Sequence, residues 1–299
     1  MIYFGHKAAF KLINQKGEIN MQEYKVKDHE SSLLPDGYEL ELVWSDEFDG
    51  KELDRTKWDY RMHMMNRRHY AWSENGVELD GNSNAVFKIF EEDGRIVSSQ
   101  LQTGYNYMDA PIKETSCFGG EKLQWNLGKL RDNLYTKKYG YFECRCRLQQ
   151  MEGWWSAFWV QSPIIGASND PGMTGTELDI MESFHPGQVT PHNAITGGYG
   201  QDLVQIRVGG REKEKALDPA VFHTFGLLWD ENGYTFYVDG VEDGHIDQYV
   251  SHIPEFILIS TEVLGYRKEG KNYRPEALDA ARAGDTFLVD YVRVFDIKK

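Results

Sequence analysis

Three carboxylates, Glu177, Asp179 and Glu182, fall within six residues of the segment Gly175-Thr-Glu-Leu-Asp-Ile-Met-Glu-Ser-Phe184, whose other positions are largely apolar and strand-forming. Side chains alternate along a regular strand, so Glu177 and Asp179 share a face while Glu182 points away. One extra residue, a β-bulge at Ile180-Met181, restores the parity and lines up all three acids on one surface. The chain is thereby constrained to a sheet that buries one face of this segment and presents an acidic row on the other. The plain alternative is a solvated acidic strand face, in a chain with 47 acidic and 33 basic residues.

The preceding segment, Gly153-Trp-Trp-Ser-Ala-Phe-Trp159, reads as a strand with Trp155, Ala157 and Trp159 on one face and Trp154, Ser156 and Phe158 on the other. One face suits a core and the other a platform on which sugar rings stack. Two carboxyl groups about 5–5.5 Å apart suit a retaining glycosidase, in which one attacks the anomeric carbon and the other protonates the leaving oxygen. The charge of Asp179 between them disfavours ionisation of a neighbouring Glu, which helps to keep one of the pair protonated.

A chain of 299 residues that is 40% hydrophobic can bury a large core as one domain. Aromatics reach 13%, and strand-like runs such as Thr235-Phe-Tyr-Val238 end in turn pairs such as Asp239-Gly240. A helical period appears only at 275–282, where two turns are expected. The fold class expected is all-β, a β-sandwich. The net charge of −14 and the lack of Lys/Arg clusters exclude nucleic-acid binding. No zinc or phosphate motif stands out, and metal ligands are unassigned. Neither a membrane span nor a secretory apolar run is legible, so no membrane partner and a cytoplasmic location are expected, or a secreted one if a leader was removed. Reduced thiols at Cys117, Cys144 and Cys146 agree, since Cys144 and Cys146 sit two apart on one strand face, with side chains too divergent to bridge easily. Residues 1–36 read as an N-terminal extension, a tail or an added strand, ahead of a catalytic domain over 37–299. A monomer is expected.

The run Glu177-Leu-Asp-Ile-Met-Glu182 resembles the bulged E-x-D-x-x-E signature of glycoside hydrolase family 16, shared by laminarinases, agarases, porphyranases and carrageenases. Leu42-Val-Trp-Ser-Asp-Glu-Phe-Asp-Gly50, Tyr139-Gly-Tyr-Phe-Glu-Cys-Arg145, Phe222-His-Thr-Phe-Gly-Leu-Leu-Trp229, Tyr237-Val-Asp-Gly240 and Leu288-Val-Asp-Tyr-Val-Arg-Val-Phe295 resemble other strands of that family. The resemblance covers residues 38–296 and implies a concanavalin A-like jelly roll with a concave cleft.

It also implies roles: Glu177 as nucleophile, Glu182 as general acid/base, Asp179 as the assisting carboxylate, and Trp155 and Trp159 beside the cut. Asn66 and Arg67, with Arg68, fall on a substrate-contacting loop, and His192 follows the catalytic strand as a further candidate contact. Thr196 stands where laminarinases carry a second histidine. No cofactor is required, although a structural calcium is implied near Glu47, Gly94 and Asp290. The function implied is endo-acting retaining hydrolysis of a β-linked polysaccharide or oligosaccharide. The Ile180-Met181 pair leans toward β-1,3-glucan, with a β-galactan (agar, porphyran or a mucin-type glycan) as the alternative substrate. A non-catalytic carbohydrate-binding lectin is the alternative of another class.

Overall fold

The computed structural model describes residues 22–109, 115–117, 124–128, 131–263 and 284–298. The helix expected at 275–282 and the side chain of Cys117 lie outside what is described.

Two antiparallel sheets face each other. The front sheet has seven strands in the order Val204–Val208, His192–Thr196, Glu177–Ser183, Trp154–Gln161, Phe256–Val263, Gln100–Gln102 and Asp59–Tyr60. The back sheet runs Val241–Ile246, Tyr234–Val238, His223–Trp229, Gly140–Arg147, Phe287–Ile297, Ala85–Phe87 and Val77–Leu79, with Leu40–Asp46 also paired to Phe287–Ile297.

Period-two alternation explains what fills the space between them. Trp154, Phe158, Leu178, Ile180, Met181 and Ile259 reach in from the front, and Phe142, Cys144, Phe225, Trp229, Phe236 and Val294 from the back, forming one buried cluster. Cys144 and Cys146 are both free and buried in this layer. The expected β-sandwich is the observed fold, and its packed interior fixes the outward face of the carboxylate strand.

The expected boundary at residue 36 is not a boundary of packing. The strands Gln22–Tyr24 and Ser32–Leu34 form a hairpin on the outer face of the back sheet, where Leu34 joins Leu40, Tyr141, Leu228 and Phe295 in a second buried cluster. Polar stitching accompanies it: the Leu33 N–H donates to Glu143 Oε1 at 2.8 Å, and Arg293 Nη1 donates to Ser32 Oγ at 2.8 Å. Burial pushes the Glu143 carboxyl up to about 7.

The residues anticipated around a calcium ion do not fit one. Glu47 is held by Arg293 through two contacts, Nε to Oε1 at 3.0 Å and Nη2 to Oε2 at 2.7 Å. Asp290 pairs with Arg145 at 2.5 Å, and Gly94 lies in a hairpin turn between Phe90–Glu92 and Arg95–Val97. No group of three His, Cys, Asp or Glu side chains is placed to hold a metal ion among the described residues. An internal guanidinium supplies the positive charge that Glu47 needs.

Candidate active site

Pairing along the carboxylate strand contains the bulge in the place the parity requires. Phe158 pairs with Met181 and Trp159 with Asp179, so Ile180 is the extra residue. Leu178, Ile180 and Met181 are all buried in the sandwich core, whereas Glu177, Asp179 and Glu182 turn to the opposite side. Across from them, Trp155, Ala157 and Trp159 share the outward face, and Trp154 and Phe158 fill the core.

Each acid has an ordered partner. Trp155 Nε1 donates to Glu182 Oε1 at 2.9 Å, Gln161 Nε2 to Glu177 Oε2 at 2.8 Å, and Asn193 Nδ2 to Asp179 Oδ2 at 3.0 Å. Tyr199 also donates its hydroxyl to Glu177 Oε2, at 2.5 Å. Asp179 is the buried member of the three: desolvation, then Glu182, then Glu177 push its carboxyl well above the usual carboxylate range. The Asp179 carboxyl is thus itself driven toward the protonated form, where the sequence pointed to one of the glutamates. The reason is burial, since Asp179 is 7% exposed and both glutamates are half-buried.

Two cavities of about 320 and 370 Å3 meet over this row, sharing Trp155, Glu177, Asp179, Glu182 and Tyr199. The first extends over Trp159 to Arg61, Met64, Met65 and Met108; the second runs to Phe184, Asn193, Gln205 and Arg207. Together they form a trough running across the strands, with the carboxylates at its centre. Arg61 lies 5.3 Å over the Trp159 ring and donates from Nε to Asp109 Oδ2 at 2.8 Å, so its charge is matched within the trough wall.

Three sequence candidates sit elsewhere. The side chain of Asn66 is not among those lining either cavity; the residue is buried at a positive φ of 66° and its N–H donates to the Met108 carbonyl at 2.8 Å. Arg67, with Arg68, forms an exposed two-residue strand against His63–Met64 and lines neither cavity. His192 faces the core, stacked on Phe236 with ring centroids 4.6 Å apart. Its Nδ1 reaches the Ile180 carbonyl at 2.7 Å and its Nε2 reaches Asp243 Oδ2 at 3.0 Å. Burial and Arg211 press the imidazole pKa down to about 4, against the pull of the Ile180 carbonyl. The Asp243 carboxylate favours the charged ring, but either form can keep an Nδ1–H on the Ile180 carbonyl, the group turned aside by the bulge. His192 therefore braces the bulge from behind.

Sequence reasoning missed Gln161, Arg61, Glu262 and Tyr199. Gln161 was within reach, because extending the alternation Trp155, Ala157, Trp159 by one step lands on it. The others arrive from other strands and loops and carry no local signal.

The family description Glycosyl hydrolases family 16 matches residues 128–255, which include the carboxylate strand and its tryptophan neighbour. The glucan endo-1,3-beta-glucosidase A1 of Niallia circulans is 27% identical over 277 residues, covering 86% of this chain and 38% of that protein, so the chain spans well under half of this relative's length. The glucan endo-1,3-beta-glucosidase of Cryptopygus antarcticus is 28% identical, with 84% of this chain and 90% of that protein covered. The laminarinase structure from Rhodothermus marinus superposes with a TM-score of 0.60 at 21% identity, over 88% of this chain and all of that one, and shares the fold. The bulged three-acid strand, on a sandwich of this architecture, lies within the segment that matches glycosyl hydrolases family 16.

Proposed function

We propose that the chain is an endo-acting retaining glycosidase that hydrolyses β-1,3-glucan. The observation that carries the reading is the bulge at Ile180, which brings Glu177 and Glu182 onto the floor of a trough that extends to both sides of the carboxylate row among the described residues. A trough that continues to either side of the cutting point suits the interior of a polymer, as endo cleavage requires.

In the first step a Glu177 oxygen bonds to the anomeric carbon, the glycosidic bond breaks, and the leaving oxygen takes the proton of Glu182. In the second step water attacks that carbon, gives its proton to Glu182, and the ester bond to Glu177 breaks. Trp155 orients Glu182 through its indole N–H, and Gln161 orients Glu177. Asp179 lies between them, and the mutual repulsion of the three carboxyls favours keeping a proton within the row.

The names of the relatives favour β-1,3-glucan. Among the described residues the cations lining the two cavities are Arg61, paired to Asp109, and Arg207, set against Glu177 and Glu262, a balance that suits a neutral glycan better than a densely sulfated galactan. A lectin has no use for three acids with ordered donors at the centre of its trough.

Wild type and Glu177→Gln are incubated with laminarin, mixed-linkage glucan, agarose, porphyran and mucin glycans, and the released oligosaccharides are read by mass. Internal cleavage of laminarin by wild type alone is expected. Cleavage of a galactan instead moves the substrate to the alternative, and equal products from both proteins remove Glu177 from the nucleophile's role.

A further inference from the structure

The trough has a roof element that neither the motif nor the family resemblance assigns. Tyr199 lies in the turn Gly197-Gly-Tyr-Gly200, just after the strand His192–Thr196, and its side chain lines both cavities at the point where they meet. Gly197 and Gly198 have φ of 73° and 71°, the left-handed region. A Cβ on Gly197 would stand 2.1 Å from the Asp202 carbonyl oxygen, and one on Gly198 would stand 2.9 Å from the Gly166 Cα. Only glycines allow the loop to fold back so tightly, and that fold aims the phenol at the carboxylate strand.

The hydroxyl donates to Glu177 Oε2 at 2.5 Å and accepts from Gln161 Nε2, which itself donates to the same carboxylate oxygen. Asn106 Nδ2 holds Gln161 Oε1 at 3.1 Å, which fixes the amide so that its NH2 faces Glu177 and Tyr199. The ring is open to solvent, with 41% of the residue exposed, but the hydroxyl end is enclosed. Desolvation there, then the charge of Glu177, push the phenol pKa well above its ordinary value, so the O–H remains a donor through any working pH.

We infer that Tyr199 is a catalytic residue: its hydroxyl holds Glu177 ionised and oriented, and stabilises the charge that returns to Glu177 when the glycosyl ester is hydrolysed. The inference rests on the assignment of Glu177 as nucleophile. The proton stays on Tyr199 throughout. During ester formation Glu177 loses its charge and the hydrogen bond weakens. When water attacks the anomeric carbon and the ester C–O bond breaks, the electron pair goes to Glu177 and the phenol again meets a full carboxylate. The second step therefore gains most from the contact. A residue that only closed the trough would affect binding and leave the titration of Glu177 unchanged.

The test compares wild type with Tyr199→Phe, which keeps the ring and removes only the hydroxyl of a partly exposed loop residue. The first readout needs no substrate: the Glu177 carboxyl is titrated by 13C NMR in glutamate-labelled full-length protein, with Glu177→Gln identifying the signal. Loss of the donor is expected to raise the Glu177 titration by about one pH unit. The second readout is hydrolysis of laminarin, where kcat is expected to fall about tenfold or more with a smaller change in KM. The acidic limb of the kcat/KM profile moves to higher pH by the same amount as the titration. An unchanged titration overturns the inference whatever the substrate proves to be, and a shifted titration with an unchanged kcat removes the catalytic role. A shifted titration in a protein inert toward laminarin supports the Tyr199 contact and sinks the glucanase reading instead.

Discussion

The indole N–H of Trp155 donates to Glu182 Oε1 at 2.9 Å, so one tryptophan both lines the trough and orients the group assigned as the general acid. Trp155→Phe keeps an aromatic face for a sugar ring and removes the donor. A hydrogen bond to a charged group is worth about 1.5–3 kcal/mol, which predicts a loss in kcat of roughly tenfold or more with little change in KM. Trp155→Ala is expected to raise KM as well, because the stacking surface goes too. Steady-state kinetics on laminarin separates the two, and an undiminished kcat in Trp155→Phe would show that the hydrogen bond contributes nothing.

Asp179 is held in a place that costs stability. Its carboxyl is pushed well up by desolvation, Glu182 and Glu177, so the native state binds a proton that the unfolded chain has released once the pH passes the ordinary aspartate range. Stability from that proton is present at low pH and is lost as pH rises through the raised native value. Asp179→Asn is neutral at every pH and keeps an oxygen for Asn193. Its melting temperature is expected to exceed that of wild type at pH 8, with the gap closing toward pH 4, while activity falls. A variant less stable than wild type at pH 8 contradicts this sign.

Glu255 presents the same sign near neutrality. Its Oε1 accepts the Thr176 N–H at 2.8 Å and the Thr176 hydroxyl at 3.0 Å, pinning the residue just before Glu177, and burial pushes its carboxyl up to about 7. Between the unfolded value near 4.5 and the native value near 7, stability declines with rising pH. Glu255→Gln keeps the acceptor and removes the titration. Melting temperatures at pH 5.5 and pH 8 should therefore lie closer together in the variant than in wild type, and an unaltered gap refutes the coupling.

His192 supports the bulge rather than the substrate. His192→Leu leaves the buried Ile180 carbonyl without its 2.7 Å partner, at a cost of about 1–3 kcal/mol. Urea unfolding is expected to show that loss with the slope unchanged. Because the bulge aims Glu182, kcat should fall while KM for short oligosaccharides holds. A rise in KM alone would return His192 to the substrate-contact role.

The legible part of this protein is the part governed by side-chain parity. Strand alternation separates Trp155 and Trp159 from Trp154 and Phe158, and the same rule demands a bulge between Asp179 and Glu182, found at Ile180. Parity alone cannot say which face a new strand buries. In His192–Thr196 it is Asn193 that lies opposite Asp179 and turns to the trough, so its neighbour His192 goes to the core. Contacts between distant segments left no local trace. Arg293 neutralises Glu47 from 246 positions away, which removes the anticipated calcium site, and Tyr199 reaches Glu177 only because two left-handed glycines turn its loop back. Asn66 and Arg67 misled because the path of an irregular loop does not follow from its composition.

The measurement that bears most directly on the account is the anomeric configuration of the first product, followed by proton NMR during hydrolysis of a β-1,3-gluco-oligosaccharide. Glu177 as nucleophile and Glu182 as acid/base require two displacements, so the β-anomer is predicted to appear first and then to mutarotate toward the equilibrium mixture. The α-anomer appearing first would mean a single displacement by water, and would contradict the covalent role assigned to Glu177.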